Sequence, residues 1–175
     1  MKFIFFKYIK RAISKTKNIY KKIYSYPILK YNKNLINEYW QKRKLNYEEI
    51  KPNDFQIERA KLFNLFIDKK NATLFDIGSG DGAQLIAINE MCSNIKIIGS
   101  DKDKFASDIM KKSNFKFHCI NDKNSISNLL KDYCPRYVSL FEVIEHIYSP
   151  EELVLDLLKN IHIKKIFISV PNTGF

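Results

Sequence analysis

Three glycines and two carboxylates occupy one short segment of this 175-residue chain. Gly78, Gly80 and Gly82 alternate with other residues, Asp76 precedes them and Asp81 lies between the last two. Glycine lacks a Cβ atom, so a glycine-rich turn lets a ligand approach the backbone closely. The segment LFDIGSGDGAQL therefore predicts a ligand-binding turn between a strand and a helix.

The glycine spacing fits two classes of cofactor. Gly78, Gly80 and Ala83 satisfy the dinucleotide pattern G-x-G-x-x-G/A. Asp101 lies just beyond the next predicted strand, where a ribose-binding acid belongs in either class. A pyrophosphate beside Asp76 and Asp81 would be repelled, since two like charges about 4 Å apart cost roughly 4 kcal/mol near a protein surface. Charge therefore favours a cationic cofactor, and a nicotinamide dinucleotide, with oxidoreductase chemistry, is the alternative.

S-adenosylmethionine is a cofactor of that charge, because it carries a sulfonium and an ammonium group. Its ribose and adenine require an acid and an apolar cleft. Asp101 and Glu142, at the ends of the second and fourth predicted strands, make the same rim more acidic. The residues thus predict a methyl-donor site at the carboxyl ends of the strands.

Strand and helix patterns alternate along the chain after the first fifty residues. Asn53 and Gln56 are spaced as a capping box at the start of a first helix, and Ser149, Pro150 and Glu152 are typical of another helix start. Strands are expected at 73–77, 94–99, 115–120, 137–141 and 165–170, and helices at 53–68, 83–91, 104–111, 126–133 and after Ser149. This order predicts an α/β fold with a doubly wound parallel sheet, whose ligand lies beyond the carboxyl ends of the strands.

The chain resembles the class I S-adenosylmethionine-dependent methyltransferases, particularly the group that includes the methionine-biosynthesis protein MetW and the ubiquinone O-methyltransferases. Five segments carry the resemblance from about Glu38 to the end: EYWQKR, LFDIGSGDGA, IIGSDKD, SLFEVIEHIYSPEEL and IFISVPNTGF. The resemblance implies a Rossmann-like methyltransferase fold. It also implies methyl transfer to a small-molecule or lipid-linked acceptor, with a non-catalytic cofactor-binding module as the alternative.

The resemblance assigns roles to residues along the strand ends. Asp76 and the loop of Gly78, Ser79, Gly80, Asp81 and Gly82 would hold the methionine portion of the cofactor. Asp101 would accept the ribose hydroxyls, Lys102 would flank the adenine, and either Asn121 or Asp122 would bind the adenine amino group. Phe141 and Glu142 would form the floor of the cofactor site.

A carboxylate and histidine cluster follows the fourth strand. Glu142, Glu145 and His146 would converge if this stretch formed one helical turn. The family resemblance implies a base or a divalent-metal ligand at Glu145 and His146, because oxygen acceptors react poorly unless they are deprotonated. The structural alternative is that Glu145 and His146 shape the loop under the cofactor.

The sheet of the resembled family has seven strands, whereas this sequence supplies five strand patterns. We therefore expect a methyltransferase domain at 38–175 that is incomplete at its carboxyl end, with the last two family strands missing. Its fifth strand would then be covered by another element, for example in an oligomer. The acceptor site depends on those strands more than the cofactor site does.

The net charge of +11 belongs to an amino-terminal arm, residues 1–37, which contains ten Lys and Arg and no acid. Apolar residues recur among its lysines at intervals typical of an amphipathic helix. Such a helix can lie on anionic lipid, where each cation adds on the order of 1 kcal/mol, or it can pack on its own domain. The nearly neutral remainder argues against nucleic acid as a partner.

The cysteines and the amino terminus indicate a compartment. Cys92, Cys119 and Cys134 form no C-x-x-C pattern, which favours a reducing environment. The apolar run at 3–6 is cut by Lys7 and is too short for a signal peptide. We expect a cytoplasmic protein, peripheral at the inner face of the membrane if the arm binds lipid.

Overall fold

The computed structural model describes residues 50–68, 70, 72–110, 115–120 and 123–171. The arm at 1–37, the segment EYWQKR and the expected domain boundary at residue 38 lie outside the described residues. Asn121 and Asp122 do so as well. The expectations for these parts of the chain therefore stay predictions.

The first described helix, α1 (Asp54–Phe66), begins at the predicted capping box. The backbone N–H of Gln56 donates to Asn53 Oδ1 at 3.0 Å, and the backbone N–H of Asn53 donates to Gln56 Oε1 at 2.9 Å. These two bonds satisfy amides that have no partner inside a helix. Ala60 and Phe63 form the buried side of α1.

Five parallel strands form the sheet, in the spatial order β3-β2-β1-β4-β5. The strands are β1 (Thr73–Ile77), β2 (Lys96–Asp101), β3 (Lys116–Cys119), β4 (Tyr137–Phe141) and β5 (Lys165–Ser169). The connecting helices are α2 (Ala83–Met91), α3 (Lys104–Met110), α4 (Lys123–Tyr133) and α5 (Pro150–Lys159), with a 3₁₀ turn at Ile144–His146. The order reverses between β1 and β4, which makes the carboxyl ends of these strands the switch point of the sheet.

A separate apolar core covers each face of the sheet. Leu74 of β1 faces the core that contains Phe63 of α1 and Leu85 of α2. Phe75 faces the opposite core, which contains Leu130 of α4 and Leu157 of α5. Because neighbouring strand residues point to opposite faces, a strand buried on both sides is apolar at successive positions. The doubly wound α/β prediction is confirmed.

Several predicted boundaries differ from the observed ones. The second strand extends to Asp101 instead of ending at Gly99, so Asp101 is its last residue. Ser149 precedes α5 as expected, but its side chain makes no capping bond, and the Glu152 amide donates to the Ser149 carbonyl instead. A cysteine within a predicted strand is most simply a small buried side chain, but Cys119 lies on the edge strand β3 and is exposed. Among the described helices, none has the length and apolar character needed to cross a membrane.

Candidate functional site

The glycine turn follows β1 and is bonded to the end of β2. The amides of Gly78 and Ser79 both donate to the Ser100 carbonyl, at 2.7 and 2.9 Å. The amide of Ser100 donates in return to Ser79 Oγ at 3.0 Å. These bonds hold the turn at the switch point of the sheet, where open α/β sheets bind their ligands.

The turn requires glycine at its first position. Gly78 has a φ of +79°, a left-handed conformation that residues with a Cβ atom rarely adopt. A Cβ atom added there would also overlap the side chain of Val143, in the loop after β4. The glycine spacing in the sequence thus reflects both backbone conformation and close packing.

Asp101 reaches the glycine turn from the end of β2. Its Oδ2 accepts the Gly80 amide at 2.9 Å, and its Oδ1 accepts the Asp103 amide at 2.9 Å. This geometry brings the predicted ribose-binding acid to the loop predicted to hold the cofactor. Lys102, the next residue, is exposed.

Asp81 turns toward the start of α2. It is buried, and its Oδ1 accepts the Ala83 amide at 3.1 Å. The first amides of such a helix bind the pyrophosphate in dinucleotide sites. A carboxylate at one of these amides opposes phosphate binding there, which agrees with the charge argument from the sequence.

Asp76 is more deeply buried than its position in the sequence suggested. Its side chain is 2% exposed, and its Oδ1 accepts a hydrogen bond from Ser139 Oγ of β4. Burial, together with the charge of Asp101, raises the pKa of Asp76 to about 7. The sequence argument treated Asp76 as ionised, whereas burial makes this carboxyl keep its proton to a higher pH than an ordinary aspartate does.

Glu142 is paired with a cation that the sequence argument missed. Its Oε1 lies 3.1 Å from Arg59 Nη1 and accepts a hydrogen bond from Ser169 Oγ at 2.7 Å. Arg59 comes from α1, and its guanidinium also lies 5.6 Å from the centroid of the Phe141 ring. The rim therefore carries less negative charge than the number of its carboxylates suggested, because Arg59 neutralises Glu142.

One signal in the sequence could have found Arg59. Gln56, Arg59, Ala60 and Phe63 recur at offsets of three and four, so they share the side of α1 that faces the domain. An arginine on an inward side needs an acidic or polar partner. The sequence did not show which acid that partner is.

Glu145 and His146 lie on the 3₁₀ turn, with His146 Nε2 4.0 Å from Glu145 Oε1. Burial raises the pKa of Glu145, and the nearby charge of Glu142 adds to this shift. The Glu142 carboxylate accepts hydrogen bonds from Arg59 and Ser169. Across the described ranges, no three His, Cys, Asp or Glu side chains are grouped as metal ligands.

Buried polar atoms at the site show what a ligand would have to satisfy. Within the part of the chain that the structure describes, Arg59 Nε and both carboxylate oxygens of Glu145 are buried without a hydrogen-bond partner. A buried donor and buried acceptors of this kind favour a ligand that carries both types of group. The methionine portion of S-adenosylmethionine has an ammonium and a carboxylate, so these residues fit that cofactor.

Comparison with known proteins identifies the fold. No protein-family model matches the chain, and no curated protein sequence matches it. The plantazolicin methyltransferase BpumL in complex with SAH is similar in structure, with a TM-score of 0.52 and 20% identity over 80% of this chain and 50% of that one. BpumL with a monoazolic desmethylPZN analog and SAH gives a TM-score of 0.53 and 19% identity over 92% of this chain and 58% of that one.

These likenesses establish the class of fold. The chain has a Rossmann-like methyltransferase fold, as the motifs predicted. It spans 50% to 58% of the length of these solved structures.

Proposed function

We propose that the chain is a class I methyltransferase that binds S-adenosylmethionine at the carboxyl ends of its strands. It resembles the MetW and ubiquinone O-methyltransferase group, and its acceptor is a small molecule or a lipid-linked compound. The observation that carries the proposal is the hydrogen bond from the Gly80 amide to Asp101 Oδ2. This bond joins the two motifs that a ribose-bearing cofactor needs at one edge of the sheet.

The roles of the binding residues follow from their positions. Asp76 and the loop from Gly78 to Gly82, with Ser79 and Asp81, hold the methionine portion, and Asp101 binds the ribose. Lys102 and one of Asn121 and Asp122 contact the adenine. Phe141 and Glu142 form the floor, which Arg59 fixes in place through its ion pair with Glu142.

The chemistry requires alignment more than activation. The bound cofactor supplies a methyl group already activated by its sulfonium, so the chain's residues act by orienting the two reactants and excluding water. Glu145 and His146 are the proposed catalytic pair. His146 is exposed next to the buried Glu145 carboxylate and takes a proton from a hydroxyl acceptor, or both side chains contribute to binding a divalent metal ion.

The structural neighbours support an organic acceptor of moderate size. Two BpumL structures contain SAH together with monoazolic and pentazolic desmethylPZN analogs. We extend to this chain the general feature of methyl transfer to an organic molecule, not the identity of that substrate.

Isothermal titration with S-adenosylmethionine and SAH tests the proposal. We expect saturable binding of both, and a loss of about ten-fold or more in affinity for Asp101→Asn, because the ribose hydroxyls lose a charged acceptor. Glu90→Gln, at an exposed position on α2, is the matched control and should bind as the wild type does. No heat from the folded protein would reject the proposal, and tighter binding of NADH would favour the oxidoreductase alternative.

A second candidate is a cofactor-binding module without turnover, alone or in an oligomer that covers β5. The chain spans 50% to 58% of the length of the solved methyltransferases described above. Binding of the cofactor without methyl transfer to a broad acceptor panel, together with a defined complex, would support it. For either function we propose a cytoplasmic location, with the basic arm in contact with the inner face of the membrane.

A further inference from the structure

Helix α1 carries large apolar side chains on the side that faces away from the sheet. We call this surface the apolar ridge: Phe55 (80% exposed), Leu62 (55%), Leu65 (74%) and Phe66 (56%). At about 100° per residue, Phe55, Leu62 and Phe66 fall within an arc of about 40° around the helix, and Leu65 lies next to that arc. The ridge residues therefore share one side of α1.

Another side of α1 already meets the domain. Ala60 and Phe63 are buried there, and the Phe63 ring centroid lies 4.7 Å from that of Phe167 in β5. The described residues thus cover one side of α1 and leave the ridge side chains more than half exposed. An apolar surface of this kind on a surface helix points to a binding partner.

Charges around the ridge indicate the chemistry of that partner. Lys51, Lys61 and Lys165 are exposed on or beside α1. Lys165 Nζ donates to the Phe66 carbonyl and lies 5.9 Å from the centroid of the Phe66 ring. Two acids lie on α1 as well. Glu58 Oε1 is paired with Lys61 Nζ at 2.6 Å, and Asp54 lies in the first turn of the helix. In a membrane, such lysines can extend their charged ends to the lipid headgroups while the neighbouring apolar side chains insert at the edge of the acyl chains.

The sequence before α1 strengthens this charge pattern. Residues 1–37 contribute ten cations and no acid, and they precede α1 by fewer than twenty positions. A net charge of +11 on every copy of the chain opposes self-association through the ridges. An anionic lipid surface attracts both arm and ridge instead.

We infer that the apolar ridge of α1 is a membrane-docking surface that inserts into the interface of an anionic bilayer. Docking in this way is independent of methyl transfer. One consequence does rest on the proposed function. Because α1 also provides Arg59, which pairs with Glu142 at the candidate cofactor site, docking through α1 would place that site near the bilayer. A lipid-linked acceptor is then the acceptor class that fits best.

Vesicle flotation with the full chain tests the docking surface. The probes are phosphatidylcholine vesicles with and without about 30% phosphatidylglycerol, at low and high salt. We expect the wild type to float with the anionic vesicles, and Phe55→Ser combined with Leu65→Ser to reduce the bound fraction about five-fold or more. Leu155→Ser combined with Ile161→Ser, which removes exposed apolar residues from the α5 side, is the control and should float within about two-fold of the wild type.

Circular dichroism and thermal melting of each variant check that it is folded. The inference would be overturned by no flotation of the wild type, by equal flotation of the ridge variant, or by self-association that the ridge substitutions abolish without any vesicle binding. A lower melting temperature of the ridge variant without vesicle binding would also overturn it, because the ridge would then be covered by the chain itself. Cofactor titration of the same proteins is a separate measurement, so failure of the methyltransferase proposal is distinguishable from failure of docking.

Discussion

Arg59 and Glu142 form an ion pair with an Nη1 to Oε1 distance of 3.1 Å, although 83 positions separate them in the chain. Ser169 bonds to both, with its Oγ 3.0 Å from Arg59 Nη1 and 2.7 Å from Glu142 Oε1. Glu142 itself has a φ of +57°, an uncommon conformation for a residue with a Cβ atom. The three side chains therefore hold α1, the end of β4 and the end of β5 together at the candidate site.

Removing this pair should reveal a measurable coupling. In a double-mutant cycle with Arg59→Ala and Glu142→Gln, we expect a coupling energy of about 1 kcal/mol in urea denaturation, since both side chains are partly exposed. The exposed pair of Lys61 and Glu58 is the control, with an expected coupling of about 0.3 kcal/mol. Additive effects of the two site substitutions would show that the pair does not stabilise the fold.

The buried carboxyl of Asp76 should make stability depend on pH. Its pKa is about 7 in the folded chain against an ordinary value of 3.8, so the folded state holds its proton longer than the unfolded state does. Stability from this group is present at low pH and is lost as pH rises from about 4 to about 7. Asp76→Asn should therefore be more stable than the wild type at pH 8, by roughly 2 to 4 kcal/mol.

Urea denaturation at pH 5 and pH 8 checks this prediction. The difference between Asp76→Asn and the wild type should grow between these two conditions. Asp156→Asn, at an exposed position on α5, should show little difference at either pH. A constant difference for Asp76→Asn would mean that the carboxyl does not titrate in this window.

Cofactor affinity should depend on the same titration in the opposite direction. The ammonium of S-adenosylmethionine favours ionised Asp76, so affinity should fall below about pH 7, approaching ten-fold per pH unit. Titration calorimetry from pH 5.5 to 8 measures it. In Asp76→Asn the dependence of affinity on pH should disappear, and the cofactor should bind more weakly. A wild-type affinity that does not change with pH would show that ionisation of Asp76 does not affect cofactor binding.

Gly78→Ala should damage the turn through two separable causes. The positive φ disfavours alanine by about 1 kcal/mol, and the added Cβ overlaps Val143. We expect a loss of roughly 2 to 3 kcal/mol in unfolding free energy and of most cofactor binding. Adding Val143→Ala should relieve the overlap. The double variant should therefore lose less unfolding free energy than the sum of the losses of the two single variants. No recovery would show that the backbone conformation alone sets the cost.

Tyr137→Phe should lower stability without changing the site. Its hydroxyl accepts the Asp68 amide at 2.7 Å at the start of β4, whereas the candidate site lies at the carboxyl ends of the strands. We expect a loss of about 1 to 2 kcal/mol in thermal or chemical denaturation and unchanged cofactor affinity. A change in affinity would contradict the separation of the two ends of the sheet.

The sequence was sufficient for the order of the elements and for the position of the glycine turn. Alternating apolar runs and helical patterns predicted β1 and β4 at their observed bounds, because strands buried on both faces are apolar at successive positions. The glycine turn and Asp101 could be located from the sequence, because one depends on local backbone conformation and the other on the end of a strand. The capping box at Asn53 and Gln56 was readable for the same local reason.

Only the tertiary structure decided the charge of the rim. The pairing of Arg59 with Glu142, the bond from Ser139 to Asp76 and the turn of Asp81 toward Ala83 came from the folded arrangement. The first two join residues from different elements, and the raised pKa of Asp76 follows from its burial between strands. Desolvation and ion pairing depend on which groups surround a carboxyl in space. A linear sequence states that the carboxyl is present, and the packing of distant segments determines whether it is charged.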